Sequence, residues 1–242
     1  KEKVDMLILP EAYLPIEWLP IVARTCAKNQ LAIVTGIEHF EYDNKIFNYT
    51  ATILPYMKDK FKFANISYHL KVHYSPDEER EIKGYRKTAV TGDSYDIFVW
   101  RDLWFPVYCC FELASIRDRA FFKNYPDLVI AVEWNKDTNY FSSIIESLCR
   151  DMHCYCVQVN SSNYGDSRII KPSETNKRDL VKTKGGLNST ILIGEIDVNK
   201  LREFQRKEYE LQKDIKDFKP TPPQFDKDII KIAGSDPSVE PL

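Results

Sequence analysis

The chain reads as a layered α/β sandwich built on mixed sheets. Strand-like apolar runs alternate with only a few helical patterns, and several strands follow one another directly. That mixture argues against a doubly wound parallel sheet. With 242 residues and 43% hydrophobic content, the chain is long enough to bury one substantial core.

Val4 to Leu9 is an apolar run ended by Pro10, which cannot donate to a ladder, and it reads as a buried strand. Pro20 suits a first helical turn, and Ile21, Val22, Ala23, Cys26 and Ala27 continue at helical spacing to Asn29. Leu31 to Ile37 forms a second buried strand. Residues 46–55 and 61–74 alternate as strands, with Asp43-Asn44 and Lys58-Asp59-Lys60 as turns. The charged stretch Asp77 to Lys87 interrupts them. Ser94 to Trp100 and Trp104 to Cys110 read as a strand pair joined at Arg101-Asp102, and Ser115 to Lys123 as a helix. Asp127 to Val132 is a strand, and Thr138 to Met152 a helix carried by Phe141, Ile144, Ile145 and Leu148. Cys154 to Val159, Arg168 to Ile170 and Ile191 to Ile196 complete the strands. Beyond residue 198 the composition changes: Leu201 to Lys213 reads as one amphipathic, charge-rich helix, followed by a polar, Pro-rich tail that packs as no core element and drapes over the domain or a partner. The organisation is therefore a domain over 1–198 and an extension over 199–242.

Lys and Arg total 34 against 36 Asp and Glu, a net charge of −2, so nothing pulls the chain generally toward nucleic acid or an acidic membrane. The longest apolar stretch, Leu103 to Leu113, is too short to span a bilayer and contains Pro106 and Glu112. Short basic clusters such as Lys182-Thr183-Lys184 lack the aromatic interleaving of a single-strand groove. Six cysteines without a CxxC pair support neither a disulfide framework nor a zinc site; Cys26, Cys149, Cys154 and Cys156 read as small buried hydrophobes, and a reducing, cytoplasmic compartment is expected. The chain opens without Met and almost directly on a strand, as a fragment of something longer would.

Three residues suit chemistry by position. Cys110 ends an apolar strand and precedes a helix, where a thiol is held rigidly near free amides. Glu11 closes the first strand, at the sheet edge where α/β architectures place their sites. Lys71 shares a strand face with His69 and His73, and an inward-facing Lys has to be paired or functional. The two histidines are four residues apart, a spacing that brings metal ligands together on a helix and not on a strand.

Taken together, Leu9-Pro10-Glu11, Tyr68-x-x-Lys71-x-His73 and Cys110-Phe111-Glu112-Leu113 resemble the three signature blocks of the nitrilase, or carbon–nitrogen hydrolase, superfamily. Pro126 to Ile130 and Asn160 through Gly165-Asp166-Ser167 to Pro172 extend the likeness over most of residues 4–198. The resemblance implies a nitrilase-type α-β-β-α sandwich, here without the family's initial strand and helix. It implies Glu11 as general base, Cys110 as nucleophile, and Lys71 with the backbone N–H of Phe111 as the oxyanion site. A second glutamate that orients the Lys falls in Ser75-Pro76-Asp77-Glu78-Glu79; Glu79 is the choice, with Glu78 its competitor. No cofactor or metal is implied. The substrate is a small amide- or nitrile-type molecule, hydrolysed through a thioester, and a homo-oligomer is expected. The extension, with Phe218-Lys219-Pro220-Thr221-Pro222-Pro223, is similar to nitrilase-like domains fused behind bacterial defence-associated reverse transcriptases, which would place the missing start in an upstream domain. The competing reading is a catalytically silent module that binds or organises a fused partner.

Overall fold

A computed structural model describes residues 3–187 and 189–232. Strand β1 (Met6–Ile8) leads through a 3-10 turn at Ile16–Trp18 into helix α1 (Leu19–Asn29), whose Pro20 occupies the first turn, where a missing N–H costs nothing. Strand β2 (Ala32–Gly36) is buried throughout. Strands β3 (Phe40–Tyr42), β4 (Lys45–Phe47), β5 (Tyr49–Lys58) and β6 (Phe61–Leu70) follow. Helix α2 (Pro76–Gly84), strand β7 (Thr88–Ala89), strands β8 (Ile97–Trp100) and β9 (Leu103–Cys109), and the short helix α3 (Ile116–Arg119) come next. The hairpin turns Asp43-Asn44, Asp59-Lys60 and Arg101-Asp102 all have positive φ at both residues, which matches the twist of the strands they join.

Strand β10 (Leu128–Glu133), helix α4 (Thr138–Met152), and strands β11 (Tyr155–Asn160), β12 (Arg168–Ile170) and β13 (Asp179–Lys182) complete the sandwich. One sheet has the order β1-β2-β5-β6, the other β13-β12-β11-β10-β9-β8, and each contains both parallel and antiparallel pairs. Strands β3, β4 and β7 form a small third sheet.

Strand alternation sorts the apolar residues into layers. Ala32 and Val34 of β2 meet Phe105, Val107, Leu128, Ile130, Val132, Tyr155 and Val157 between the two sheets. On the outer face of the smaller sheet, Leu19 and Cys26 of α1 cover Ile33, Ala51 and Ile53. On the outer face of the larger, Phe141, Ile144, Ile145, Leu148 and Met152 of α4 cover Tyr108, Val129, Ala131 and Cys156. Each large apolar side chain so buried contributes about 1.5–3 kcal/mol. The order is α-β-β-α, with mixed sheets.

Several local expectations are corrected. The charged stretch after Pro76 is the helix α2, started by a Ser75 capping box. The strand over 61–74 stops at Leu70. Residues 191–196 form no strand; Ile191 is largely exposed, and β13 takes the sheet edge instead. The single helix over 201–213 is two, α5 (Val198–Arg206) and α6 (Tyr209–Asp214), separated where Lys207 and Glu208 turn extended.

The tail does pack. Leu201, Phe204 and Phe218 are buried in the inter-sheet core, beside the Tyr155 and Val157 side chains. Arg202 fixes α5 by donating Nε to Asp127 Oδ1 at 2.8 Å and Nη2 to Asp127 Oδ2 at 2.6 Å, with Asp102 on its Nη1 at 2.5 Å. Apolar surface that must leave water overrides the polar, Pro-rich composition around it.

Candidate active site

Glu11, Lys71 and Cys110 each lie just past the end of a strand, where β1, β6 and β9 finish. All three are buried, Lys71 completely. Lys71 Nζ donates to Glu11 Oε1 at 2.7 Å and to Glu78 Oε1 at 2.6 Å. It also sits 5.3 Å from the centre of the Tyr74 ring. A buried ammonium is tolerable only with such compensation.

Glu11 is held from four sides. Its Oε1 accepts from Lys71, from Asn48 Nδ2 at 2.8 Å and from the Cys109 thiol at 3.4 Å, and its Oε2 accepts the Trp134 N–H at 3.0 Å. Behind it, Gly36 packs against the Glu11 backbone so closely that a Cβ would lie 2.4 Å from Glu11 Cα. Burial works to raise the Glu11 carboxyl, but the Lys71 charge and hydrogen bonds from Lys71, Asn48 and Cys109 outweigh it and hold the carboxyl below its ordinary range. Burial likewise works to lower Lys71, yet the charges of Glu11 and its neighbours keep it well above its usual value. The resting pair is therefore a carboxylate and an ammonium.

Cys110 opens a one-turn 3-10 helix, Cys110–Ala114, with φ of 47°, a left-handed conformation uncommon for a residue with a side chain. The chain reverses sharply there, which turns the nucleophile candidate out of the strand, and the next residue, Phe111, lies in the first turn, where amides lack intrahelical acceptors. Burial, reinforced by the Glu11 charge and opposed by Lys71, pushes the Cys110 thiol well above its ordinary value. The thiol is neutral at rest. Cys109 is raised for the same reasons, burial first.

The expectation that Glu79 accompanies Lys71 is corrected. Glu79 pairs with Lys83 at 3.0 Å on the exposed face of α2. Glu78 points inward instead, one oxygen on Lys71 and the other accepting the Ser75 N–H at 2.8 Å. Its own N–H returns to Ser75 Oγ at 3.2 Å. The pattern Ser75-x-x-Glu78 is a capping box, and it was the sequence signal that separates the two acids. Asn48, Cys109 and Trp134 had no such signal: Asn48 reaches Glu11 across 37 positions, and Trp134 contributes only its amide.

His69 and His73 do not converge. His69 Nε2 lies 2.8 Å from Glu112 Oε1, and His73 Nε2 lies 2.5 Å from Asp118 Oδ2. All six cysteines are buried and unpaired. Among the described residues no helix is long and apolar enough to cross a membrane.

Solved structures share this arrangement of elements. XC1258 from Xanthomonas campestris, a CN-hydrolase superfamily protein with an arsenic adduct in its active site, aligns with a TM-score of 0.62 at 16% identity, over 88% of this chain and 85% of its own. The NitN amidase from Nesterenkonia sp. AN1 aligns at 0.59 and 13% identity, over 87% and 86%. Nit3 of Saccharomyces cerevisiae, a nitrilase superfamily member, aligns at 0.58 and 15% identity, over 76% and 74%. No family model and no curated protein matches the sequence. What the likeness shows is the fold: this chain folds as nitrilase-superfamily structures do.

Proposed function

We propose that the chain is a carbon–nitrogen hydrolase of the amidase type, in which Cys110 is the nucleophile, Glu11 the general base and Lys71 the oxyanion-stabilising cation. The observation that carries this reading is the convergence of a buried carboxylate, a buried ammonium and an elbow cysteine at three strand ends. In support, the E41Q mutant of the amidase from Nesterenkonia sp. AN1, of the same fold, takes the acetamide moiety of fluoroacetamide, and acrylamide by Michael addition, at its active-site cysteine.

The residue types suit the reaction. The Glu11 carboxylate removes the Cys110 proton as the sulfur bonds to the carbonyl carbon of an amide. The negative charge moves to the carbonyl oxygen, where Lys71 Nζ and the Phe111 N–H stabilise it. As the oxyanion collapses, the carbon–nitrogen bond breaks and Glu11-H protonates the departing amine. A thioester remains. Water, deprotonated by Glu11, then attacks it, and the carboxylic acid leaves as Cys110 recovers its proton. Glu78 keeps Lys71 charged and pointed at the oxyanion.

Two thiols flank Glu11, and the elbow chooses between them. Cys109 belongs to β9 and pairs with Val132 within the sheet, whereas Cys110 sits at the reversal. Treatment with acrylamide, followed by peptide mass mapping, should place the adduct on Cys110. Cys110→Ala should reduce amide hydrolysis by roughly 10⁴-fold or more, with the fold intact. Labelling at Cys109 instead, or a Cys110→Ala variant of normal activity, would overturn the assignment.

The finer context stands on sequence resemblance. The stretch from Phe218 to Pro223 supports placement behind a reverse transcriptase in antiviral defence. Ile116 and Phe121, exposed beyond the elbow, support homo-oligomer formation.

A further inference from the structure

Glu112 is fully buried two residues beyond the proposed nucleophile, and both of its oxygens are used. Oε2 accepts the Cys109 N–H at 2.6 Å, on the nucleophile's own strand end. Oε1 accepts the Val72 N–H at 2.6 Å and faces His69 Nε2 at 2.8 Å, on the two sides of Lys71. Strand β6, which delivers Lys71, and strand β9, which delivers Cys110, belong to different sheets, with no backbone ladder between them. Distance between the ammonium and the sulfur therefore depends on side chains that cross the gap.

We propose that Glu112 is a positioning residue that ties the Lys71 segment to the Cys110 elbow and so holds the oxyanion-stabilising cation in register with the nucleophile across the two sheets. The inference rests on the assignment of Cys110 as nucleophile. A carboxylate suits the task because it accepts on both oxygens and has no proton to misdirect. Buried, with charge-assisted bonds at 2.6–2.8 Å, it resists being pulled from either strand. A second bridge runs alongside: His73 meets Asp118 Oδ2, which also accepts from the Tyr95 hydroxyl at 3.3 Å. The Tyr95 ring in turn stacks on His69, with centroids 5.4 Å apart. Residues 69 to 73 are thus gripped on either side of Lys71 from the segment that follows the nucleophile.

Glu112→Gln preserves the volume and replaces one acceptor by an NH2, which must face either the Cys109 N–H or the Val72 N–H. The measurement is the rate of Cys110 alkylation by acrylamide over a pH series, per folded molecule of the full chain. Glu112→Gln should slow it by roughly tenfold to a hundredfold and displace its profile to higher pH, because Lys71 no longer sits where it favours the thiolate. His69→Asn, which keeps the acid and removes one of its partners, should shift the profile in the same direction by less, and it decides the question if Glu112→Gln does not fold. Superimposed profiles for wild type and variants would overturn the proposal. So would faster alkylation with an unmoved profile, the mark of simple loosening. If the wild-type protein takes no adduct at Cys110, the nucleophile assignment itself fails, and that outcome is separable from the others.

Discussion

Lys71 Nζ and Glu78 Oε1 lie 2.6 Å apart, and the same carboxylate closes the N-terminal cap of α2 through Ser75. One acid therefore fixes both where the helix begins and where the ammonium points. Glu78→Gln should lose the charge on Lys71's second side and lower the rate of small-amide hydrolysis by roughly tenfold to a hundredfold. Glu79→Gln removes only an exposed pair with Lys83, worth a few tenths of a kcal/mol, and should leave the rate within about twofold. Equal effects from the two substitutions would remove Glu78 from the site.

That pair also marks where reading the chain alone stops. Cys110 and Glu11 stand out because each follows an apolar run, and such ends are set by local pattern, whereas Lys71 lies in an alternating stretch and stands out only through the Tyr68-x-x-Lys71-x-His73 block. Helix α2 was not legible from periodicity, since it buries only Ile82 and shows almost no apolar face. Its local clue is the Ser75-x-x-Glu78 capping box, which separates Glu78 from the neighbouring Glu79. Strand β13 leaves little mark in the sequence because only Leu180 and Val181 carry it, while the more apolar Ile191 to Ile196 lies outside the sheets with Ile191 and Ile193 exposed. Asn48 reaches Glu11 across 37 positions, and Glu112 reaches Val72 and His69 across 40 and 43. Such pairings follow from how the two sheets stack, which no local window contains.

Gly36 offers a test of how tightly the base is seated. A Cβ there would stand 2.4 Å from both Ala12 N and Glu11 Cα, and both are backbone atoms that cannot swing aside. Gly36→Ala must therefore displace the Glu11 turn, at a cost of about 1–3 kcal/mol in stability. Hydrolytic activity per folded molecule should fall as well, because Glu11 moves relative to Lys71. Gly84→Ala is the matched control: no atom lies within 4 Å of its Cβ, and it ends α2, where Ala is favoured by up to about 1 kcal/mol. Thermal melts with rates on both variants check this. An active, fully stable Gly36→Ala protein would mean that the Glu11 backbone is freer than its packing implies.

Glu133 gives a prediction in pH. It ends β10 one step beyond Val132, the residue paired with Cys109, and is fully buried. Its Oε2 accepts from Gln158 Nε2 at 2.9 Å, and its Oε1 has no hydrogen-bond partner among the described residues. Burial drives its pKa up to about 8 from 4.5; the Gln158 hydrogen bond opposes the shift and the Glu11 charge adds to it. The native state therefore keeps a proton that the unfolded chain releases above pH 4.5. Between those two values the folded form binds more protons, so this residue lowers stability progressively as pH rises, by roughly 3 kcal/mol at neutral pH. Glu133→Gln mimics the protonated acid and keeps a partner for Gln158. Its melting temperature should match that of wild type near pH 4.5 and exceed it by a margin that widens toward pH 8. A margin that stays constant across this range would show that Glu133 ionises normally in the fold. A Glu11→Gln background provides the second arm: with the neighbouring charge removed, the native carboxyl of Glu133 ionises at lower pH, so the deficit still begins near pH 4.5 but levels off earlier and at a smaller size, as it must if the two carboxyls sense one another.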